Sequence, residues 1–432
     1  MKIAIAGYGA EGKASFLYWN TPEHDITIAD ERESVDDLPA GIATILGAEA
    51  FQKLSSFDLV IRTAGLAPEK IVTDGKVWSA TNEFFAKSPA PIIGVTGTKG
   101  KGTTASLITS ILKAAGKTVH LVGNIGTPAL EILPVITAND IVVYELSSFQ
   151  LWDLEKSPSI AVVLMIEPDH LNVHRNLEEY IEAKANIRRH QGPDDYCIYH
   201  PTNAYAHQIA TTGIGEQRAA RYGTPDDNEV YIKENTFFIR DTAICSVDAL
   251  QLPGTHNQEN ACAAISAARH VGVDNEAVER GLRSFEGLPH RLELVRELDG
   301  VAYYNDSFSS APGATIAAIR AFDRPEILII GGTDKGADFS ELAQAIRENQ
   351  QVKQLVIMGT IGHKLADFLR QQGVTAAIEE VDAKTMLEVI GRAREYAVPG
   401  DIIILSPACA SFDMFKNFED RGNQFRDLVR AL

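Results

Sequence analysis

The sequence is poor in cysteine, in basic residues relative to acidic ones, and in long apolar runs. Its four cysteines, Cys197, Cys245, Cys262 and Cys409, are scattered over 432 residues, a spacing that fits neither a disulfide framework nor a metal site. The 40 basic residues against 58 acidic ones give a net charge of −18, which argues against nucleic acid or an anionic membrane as the main partner. No apolar stretch approaches the roughly 20 residues of a membrane-spanning helix. Any polyanionic substrate must therefore be met by local positive groups.

The first residues also lack the features of a signal peptide. The segment from Met1 to Ala6 runs directly into a turn at Gly7, without the apolar core and cleavage site of an export signal. The composition, 45% hydrophobic and 23% charged, is that of a soluble globular enzyme. We therefore expect a cytoplasmic location.

Short β-rich runs alternate with helix-like stretches along most of the chain. This alternation predicts an α/β fold with parallel sheets covered by helices on both faces. The predicted strands are Lys2 to Ala6, Asp25 to Asp30, Asp58 to Arg62, Ile92 to Val95, Val119 to Val122, Ile141 to Glu145, Ile160 to Ile166, Val301 to Asn305, Glu326 to Ile330, Gln354 to Met358 and Asp401 to Ser406.

The length exceeds what one hydrophobic core usually organises, so two or three domains are expected, and three is the preferred number. Proline-containing linkers, AKSPAP at residues 86–91 and EGLPHR at residues 286–291, separate three sets of strands. We predict domains at residues 1–88, 89–287 and 288–432. Residues 191–250 show no regular pattern and carry no detailed prediction.

The first glycine motif is GYGAEG, in which Gly7, Gly9 and Gly12 follow a strand and open a helix. Glycines in this position let a phosphate approach a helix N-terminus, where unpaired N–H groups and the helix dipole favour anions. Asp30 ends the next strand, as in the dinucleotide fingerprint. A tight turn without any ligand is the simpler alternative.

The second motif, GVTGTKGKGTT at residues 94–104, reads as a phosphate loop. Backbone amides there would cradle phosphate oxygens, Lys101 would reach the terminal phosphates, and a threonine hydroxyl would bind Mg²⁺. The spacing from Gly97 to Lys101 is shorter than in the usual phosphate-loop pattern. The expected anion is the triphosphate of ATP, with Glu145 as a candidate Mg²⁺ ligand, although an acid at a strand end is by itself ordinary.

Lys184 is unusual because it lies on the apolar seam of a predicted helix, at helical spacing from Tyr180, Ile181 and Ile187. It could extend along the edge of the core and keep its amine in water. Alternatively its amine is modified or paired at a site, since a desolvated lysine is readily deprotonated and reactive. His170 follows another apolar strand, where a histidine could ligate a metal.

Together these motifs resemble the Mur ligase family over all three predicted domains. The matching segments are GTKGKGTT, GNIG at residues 123–126, ELSSFQL at 145–151, PDH at 168–170, EAK at 182–184, HNQEN at 256–260, LPHR at 288–291, NDS at 305–307 and GGTDKGADFS at 331–340. GNIGTPAL and the segment from Ser406 to Phe425 resemble the members that add D-glutamate to UDP-N-acetylmuramoyl-L-alanine.

The resemblance implies an N-terminal Rossmann-like domain for the UDP-sugar, a central P-loop ATPase-like domain and a C-terminal Rossmann-like domain for the amino acid. It implies an ATP-dependent amide ligase of peptidoglycan precursor synthesis that forms an acyl phosphate, with ATP and two Mg²⁺ ions as cofactors. The implied partners are small molecules, namely UDP-N-acetylmuramoyl-L-alanine, glutamate and ATP. We expect no nucleic acid or membrane partner, and a monomer.

The resemblance also assigns residues. For catalysis it implies Lys101, Glu145, His170 and a carbamylated Lys184, and for metal binding Thr103, Glu145, His170 and Lys184. For ATP it implies Gly97, Thr98, Lys99, Gly100, Lys101, Gly102, Thr103, Thr104, Asn257, Asn260, Arg291 and Asp306. For the UDP-sugar it implies Gly9, Ala10, Glu11, Asp30, Arg32, Thr63, Gly65, Asn124 and Gln150. For the amino acid it implies Ser310, Lys335, Ser411 and Phe418.

One segment departs from the family pattern. After NDS, the members that add D-glutamate usually continue with Lys, Ala, Thr and Asn, whereas this chain has FSSA at residues 308–311. Ser310 could supply the hydroxyl of the threonine, but Phe308 removes a cation beside the amino-acid site. L-Glutamate as the incoming amino acid, and a folylpolyglutamate synthase-like ligase, are therefore alternatives.

Two rival functions come from outside the ligases. A nicotinamide-dependent dehydrogenase would use the first glycine motif, but it would not need a second nucleotide site. A nucleotide-dependent switch or scaffold would bind ATP without releasing phosphate. The segment from Ser406 to Phe425 argues against both.

Overall fold

The structure, a computed structural model, describes residues 1–213, 218–225 and 229–432. The chain divides into two compact units, one of residues 1–250 and 258–285 and the other of residues 251–257 and 286–432. None of the helices in the described ranges combines the length and apolarity needed to cross a membrane.

The N-terminal sheet of the first unit is parallel throughout. Its strands are Lys2–Ala6 (β1), Asp25–Asp30 (β2), Ala43–Leu46 (β3), Leu59–Arg62 (β4) and Lys76–Ser79 (β5), and its helices are Ala10–Trp19 (α1) and Ala80–Lys87 (α2). The strand order is β3-β2-β1-β4-β5. Because the order reverses between β1 and β4, the carboxyl ends of these two strands mark the position at which open α/β sheets bind nucleotides.

The central sheet belongs to the same unit and is also parallel. Its strands are Ile92–Thr96 (β6), Val119–Gly123 (β7), Ile141–Glu145 (β8), Ile160–Val163 (β9), Tyr196–Tyr199 (β10) and Ala219–Arg221 (β11), in the order β11-β10-β9-β6-β8-β7. The helices in this part of the chain are Lys101–Ala114 (α3), Ala129–Ile132 (α4), Ser148–Leu151 (α5), Leu177–Arg189 (α6), Ala204–Ala210 (α7), Thr255–His270 (α8) and Asn275–Ser284 (α9). Both β6 and β8 are buried along their whole length, because helices cover both faces of the sheet.

The predicted strand from Ile160 to Ile166 is too long, since β9 ends at Val163. Beyond that point the carbonyl of Met165 accepts the N–H of Thr98. The chain therefore leaves the sheet to support the loop after β6. Residues 230–246, which carried no detailed prediction, form a small antiparallel sheet of Val230–Lys233 (β12), Thr236–Ile239 (β13) and Thr242–Ser246 (β14).

The second unit contains a six-stranded sheet. Its strands are Glu293–Leu298 (β15), Val301–Asn305 (β16), Glu326–Gly331 (β17), Val352–Met358 (β18), Ala377–Glu380 (β19) and Ile402–Leu405 (β20), in the order β15-β16-β20-β17-β18-β19. Only the pair β15 and β16 is antiparallel among these neighbours. The helices are Pro312–Ile319 (α10), Ser340–Glu348 (α11), Gly362–Gln371 (α12), Met386–Glu395 (α13) and Phe418–Ala431 (α14).

The apolar runs of β17 and β20 fill two separate cores in this unit. Leu328 and Ile330 pack into one core, whereas Ile327 and Ile329 pack into the other. Successive side chains of a strand point to opposite faces, so a continuous apolar run is what a doubly covered strand requires. The α/β prediction with parallel sheets is confirmed.

Candidate active site

The loop between β6 and α3 approaches its neighbours closely at two glycines. Gly100 has φ +81°, and a Cβ atom there would collide with Oδ1 of Asn260. A Cβ atom at Gly97 would lie 2.7 Å from the Cβ of Leu164. Because α3 starts at Lys101, the loop ends at the N-terminus of a 14-residue helix, where backbone N–H groups and the helix dipole favour an anion.

Two lysine amines meet at this loop. Nζ of Lys101 donates to the carbonyl oxygens of Gly97 at 3.0 Å and Thr98 at 2.9 Å. Nζ of Lys184 donates to the same Gly97 oxygen at 3.0 Å and to Oγ1 of Thr96 at 3.2 Å. The positive charge of Lys101 therefore disfavours a second charge on the Lys184 amine, and an added anion would offset the charge at this loop.

Lys184 is fully buried, with 1% of its surface exposed. Burial, followed by the nearby charge of Lys101, holds the pKa of the Lys184 amine well below its usual value. The amine also lies 4.8 Å from the centre of the Tyr180 ring. The predicted apolar seam of α6 therefore does bury this lysine, and a neutral amine is nucleophilic enough to be modified.

Glu145 ends β8 beside this loop and is 4% exposed. Its carbonyl packs against Gly123, which has φ +118° and leaves no room for a Cβ atom. The Glu145 carboxylate acts electrostatically on Lys184 and favours its charged form, against the stronger effect of burial. A buried carboxylate and a lysine amine thus lie within electrostatic reach of each other at the carboxyl end of the sheet.

The first helical turn of α3 separates the two neighbouring threonines. Thr104 is fully buried and donates to Oδ1 of Asn260 at 3.3 Å, whereas Thr103 is partly exposed. Thr103 is thus the better placed of the two to reach a ligand, and its role as a Mg²⁺ ligand stays a prediction. Asn260 supports the loop from α8, while Asn257 belongs to the second unit and donates to the carbonyl of Pro253 at 2.7 Å.

His170 lies on an exposed turn with φ +54°. Its Nε2 is 3.6 Å from Oδ2 of Asp169, and its ring contacts Phe149 at 4.9 Å between centres. The sequence drew attention to His170 and missed His174, which is 1% exposed, stacks on Phe149 at 9° and lies 2.9 Å from Oγ of Ser148 through Nε2. Burial lowers the pKa of His174, so this imidazole stays neutral and supports α5.

No group of three or more His, Cys, Asp or Glu side chains spaced for a metal ion occurs among residues 1–213, 218–225 and 229–432. The donors near the loop are instead one buried carboxylate, one threonine hydroxyl and one lysine amine. Mg²⁺ is usually held by one or two carboxylates together with substrate phosphates and waters. The donor set therefore fits Mg²⁺ that arrives with a nucleotide triphosphate.

The first glycine turn is organised by acids. Oδ2 of Asp30 accepts the N–H of Tyr8 at 2.9 Å, and both carboxylate oxygens accept from the Arg32 guanidinium at 2.7 and 2.8 Å. These bonds lower the pKa of Asp30 to about 2. Because Asp30 is occupied in this way, it is poorly suited to hold the ribose hydroxyls of a nicotinamide dinucleotide, whereas the half-exposed Arg32 can meet an anion.

The remaining residues predicted for the UDP-sugar are partly used by the fold itself. Oε2 of Glu11 accepts the N–H of Ala64 at 2.6 Å, and burial raises the pKa of this carboxyl. The carbonyl oxygen of the Gln150 side chain accepts from the backbone and hydroxyl of Ser147, which caps α5. Asn124 is exposed after β7. Gly9 caps α1 and has open space around it.

In the second unit, Phe308 lies between two predicted site residues. Its ring centre is 3.7 Å from the guanidinium carbon of Arg291 and 5.2 Å from the ring of Phe418, edge to face. Asp306 is buried and accepts from Ser406 at 2.7 Å and from the N–H of Leu292 at 3.2 Å. Burial raises the pKa of Asp306 to about 6.

The residues predicted for the amino acid lie on two paired segments of this unit. Thr333 bridges to Ala410, which brings the loop of Lys335 beside that of Ser411. Lys335 lies 4.9 Å over the ring of Phe412. Elsewhere in the unit, Oγ of Ser310 accepts from Arg421 at 3.5 Å.

Arg421 was missed by the sequence analysis. It is fully buried and binds the hydroxyl and carbonyl of Ser307 at 2.9 Å each and the carbonyl of Cys409 at 3.1 Å. It occupies the apolar seam of α14 together with Phe418 and Phe425, at i+3 and i−4 spacing. The helical spacing that singled out Lys184 would also have singled out Arg421.

Comparisons with known proteins show the family of this chain. The chain matches the Mur ligase middle domain over residues 95–268 and the Mur ligase glutamate ligase domain over residues 290–409. It is 38% identical to a curated relative, the UDP-N-acetylmuramoylalanine--D-glutamate ligase of Symbiobacterium thermophilum, over 100% of this chain and 98% of the relative.

Solved structures share the fold at lower identity. UDP-N-acetylmuramate-alanine ligase of Thermotoga maritima aligns with a TM-score of 0.63 at 18% identity, over 100% of this chain and 99% of that one. A MurF ligase of the same organism, solved in complex with ADP, aligns with a TM-score of 0.58 at 17% identity, over 100% and 95%. From the two domain matches and the full-length similarity, the chain belongs to the Mur ligase family.

Proposed function

We propose that this protein joins D-glutamate to UDP-N-acetylmuramoyl-L-alanine with ATP as the activator, as the names of its relatives state for those enzymes. The observation that supports this function best is the convergence of Lys101 and Lys184 on the carbonyl of Gly97, next to the buried carboxylate of Glu145. Such an arrangement suits a triphosphate and its metal ions better than any uncharged ligand.

The reaction first activates a carboxylate. A carboxylate oxygen of the L-alanyl group attacks the γ-phosphorus of ATP, the bond to the β,γ-bridging oxygen breaks, and ADP leaves. Lys101 and the backbone amides of residues 97–102 would hold the phosphates in line with the attacking oxygen. Positioning and electrostatic stabilisation supply most of the catalysis in phosphoryl transfer.

The amine of glutamate then attacks the acyl phosphate. The new C–N bond forms, the amine loses a proton, and inorganic phosphate leaves from the tetrahedral intermediate. Thr103, Glu145, His170 and a carbamylated Lys184 would hold two Mg²⁺ ions, which when bound neutralise the charge that develops on the phosphoryl oxygens. Carbamylation converts the neutral amine of Lys184 into an anion, which suits its place beside Lys101.

The remaining assignments follow the same scheme. For the nucleotide we propose Gly97 to Thr104, Asn257, Asn260, Arg291 and Asp306. For the uridine and pyrophosphate end of the UDP-sugar we propose Gly9, Ala10, Glu11, Asp30, Arg32, Thr63 and Gly65. For its sugar-peptide end we propose Asn124 and Gln150, and for the amino acid Ser310, Lys335, Ser411 and Phe418. We propose domain boundaries after residues 88 and 287, and a cytoplasmic monomer.

The decisive test is the release of inorganic phosphate from ATP and Mg²⁺ in the presence of UDP-N-acetylmuramoyl-L-alanine, with D-glutamate, L-glutamate or no amino acid. We expect release with D-glutamate and formation of the amide. Release with L-glutamate alone would mean that L-glutamate is the incoming amino acid. The absence of release with both amino acids would refute the substrate assignment.

Labelling the alanyl carboxylate with ¹⁸O tests the intermediate in the same assay. One labelled oxygen should appear in the released phosphate, because the carboxylate oxygen that attacks ATP departs with it. Unlabelled phosphate accompanied by amide formation would exclude an acyl phosphate.

A further inference from the structure

One heavily bonded buried cation of the first unit that the mechanism leaves unused is Arg62, the last residue of β4. Its side chain has no exposed surface. Nε and Nη2 donate to the two carboxylate oxygens of Asp153 at 3.0 and 2.7 Å, as a fork. Nη2 also donates to the carbonyl of Phe149 at 3.0 Å.

The rest of the guanidinium binds the turn that follows β4. Nη1 donates to the carbonyl oxygens of Thr63 at 3.3 Å, Ala64 at 3.2 Å and Leu66 at 2.9 Å. With six acceptors, all five N–H donors of the guanidinium are used. A buried guanidinium is costly unless its donors are satisfied, so this arrangement holds both partners tightly.

These partners belong to different parts of the unit. The turn at Thr63 to Gly65 lies at the carboxyl edge of the N-terminal sheet. Phe149 lies in α5, beside the central sheet, and Asp153 follows the end of this helix by two residues. A second tie supports the same junction, because the Asn82 side chain donates to the carbonyl of Asp153 at 2.8 Å and accepts the N–H of Glu155 at 2.9 Å.

The contacts also fix the direction of the peptide groups in the turn. In a trans peptide the C=O and the N–H point in opposite directions. Since the carbonyl of Ala64 points to Arg62, the N–H of Gly65 points away from it. Glu11 holds the N–H of Ala64 at 2.6 Å. The turn therefore presents the Gly65 N–H on the side opposite the guanidinium.

We infer that Arg62 and Asp153 form a positioning pair that sets the placement of the turn at Thr63 to Gly65 relative to α5, and so fits the protein to both ends of one extended substrate. This inference rests on the proposed function, in which the turn meets the uridine end and Gln150 of α5 meets the sugar-peptide end. Neither Arg62 nor Asp153 touches the reacting atoms; they act through the segments that they join.

Asp153→Asn separates the two roles of the pair. This variant weakens the link to α5 but keeps the bonds from Arg62 to the turn. We expect the affinity for UDP alone to stay within about twofold of the original value. We expect UDP-N-acetylmuramoyl-L-alanine to bind about tenfold more weakly, with the KM for ATP unchanged. Arg62→Lys, which loses the fork and two turn contacts, should weaken the binding of both UDP compounds.

Asp140→Asn is the matched control. Asp140 is likewise a largely buried acid, bound by His120 and Thr137, and it lies at the opposite end of β8 from Glu145. Its loss should lower the unfolding midpoint without changing the affinity for either UDP compound.

The outcomes separate two failures. If the original protein binds no UDP-N-acetylmuramoyl-L-alanine, the proposed function is wrong. If the original protein binds it, three results for Asp153→Asn would refute the positioning pair. The variant could behave like Asp140→Asn, it could lose as much affinity for UDP as for the full substrate, or its KM for ATP could rise equally.

Discussion

The two glycine turns of the first unit have the same backbone plan and opposite electrostatics. In each, a parallel strand ends in a glycine with little space around it, and a helix begins within a few residues. Behind the first turn lie two carboxylates, Asp30 and Glu11. Behind the second turn two lysines, Lys101 and Lys184, bond to one carbonyl.

This difference shows what a glycine motif does and does not specify. The glycines provide room for close approach, which any phosphate-bearing ligand needs. The charges behind the turn select the ligand. At the first turn the two acids accept hydrogen bonds from the N–H groups of Tyr8 and Ala64 and from the Arg32 guanidinium, and Arg32 is the exposed cation there. At the second, cationic groups crowd the loop itself, as a triphosphate requires.

Replacement of the loop lysine should have the largest effect. Lys101→Met removes the cation that meets the phosphates, and we expect kcat for phosphate release to fall by about a thousandfold. The KM for UDP-N-acetylmuramoyl-L-alanine should change little, because the first turn is intact. Steady-state kinetics with each substrate varied in turn measure both effects.

Lys113→Met is the control for that variant, since Lys113 is an exposed lysine in the last turn of the same helix. It should leave kcat unchanged. A loss below about tenfold in Lys101→Met would contradict the role given to the second turn.

The buried lysine comes next. Burial lowers the pKa of its amine, which favours the neutral form that adds CO₂ to give a carbamate. Lys184→Arg keeps a long basic side chain but cannot be carbamylated, so we expect kcat to fall by about a hundredfold. In ¹³C-bicarbonate, the unaltered protein should show a carbamate carbonyl signal that this variant lacks.

Lys156→Arg, a change at an exposed lysine, should keep both the signal and the activity. A carbamate signal that survives in Lys184→Arg would place the modification elsewhere, and full activity of that variant would exclude the modification from catalysis.

Arg32→Met should affect the UDP-sugar substrate and not ATP, which is the opposite of the pattern expected for Lys101→Met. Loss of the exposed guanidinium at the first turn should raise the KM for UDP-N-acetylmuramoyl-L-alanine about tenfold and leave the KM for ATP unchanged. Arg283→Met removes an equally exposed arginine that is also bound to a carboxylate, that of Glu279, and should change neither KM. A rise in the KM for ATP with Arg32→Met would remove the distinction between the turns.

Many of the elements around this site could be predicted from the sequence, because strand periodicity and glycine spacing are local signals. The strands β1, β2, β8 and β16 were predicted with their observed bounds. The apolar seam of α6 singled out Lys184 but left open whether its amine is buried. In contrast, the directions of the Lys101 and Lys184 amines depend on carbonyls that only the folded chain brings together. Arg62 gave no local signal, because a charged residue at a strand end usually faces water.

The small sheet of residues 230–246 shows a different limit. Its turns place Glu234, Asn235 and Arg240 at positive φ, positions that are normally signalled by Asn-Gly or Asp-Gly. Without those residues the alternating segments are too short to distinguish from irregular structure. Phe308 likewise read as the loss of a cation, whereas the structure places the Arg291 guanidinium on its ring.

The smallest effect concerns the acid behind the first turn. Arg32 lowers the pKa of Asp30 from 3.8 to about 2, so the ionised form stabilises the folded state above pH 4 and this contribution disappears as the pH falls through 2. Allowing for screening at the exposed arginine, Asp30→Asn should cost about 1 to 2 kcal/mol in the free energy of unfolding at pH 7, of which about half is lost by pH 3. Urea unfolding across this range measures the difference, with Asp25→Asn at the exposed start of the same strand as the control. A cost that stays constant down to pH 3 would mean that the shape of Asp30, and not its charge, organises the first turn.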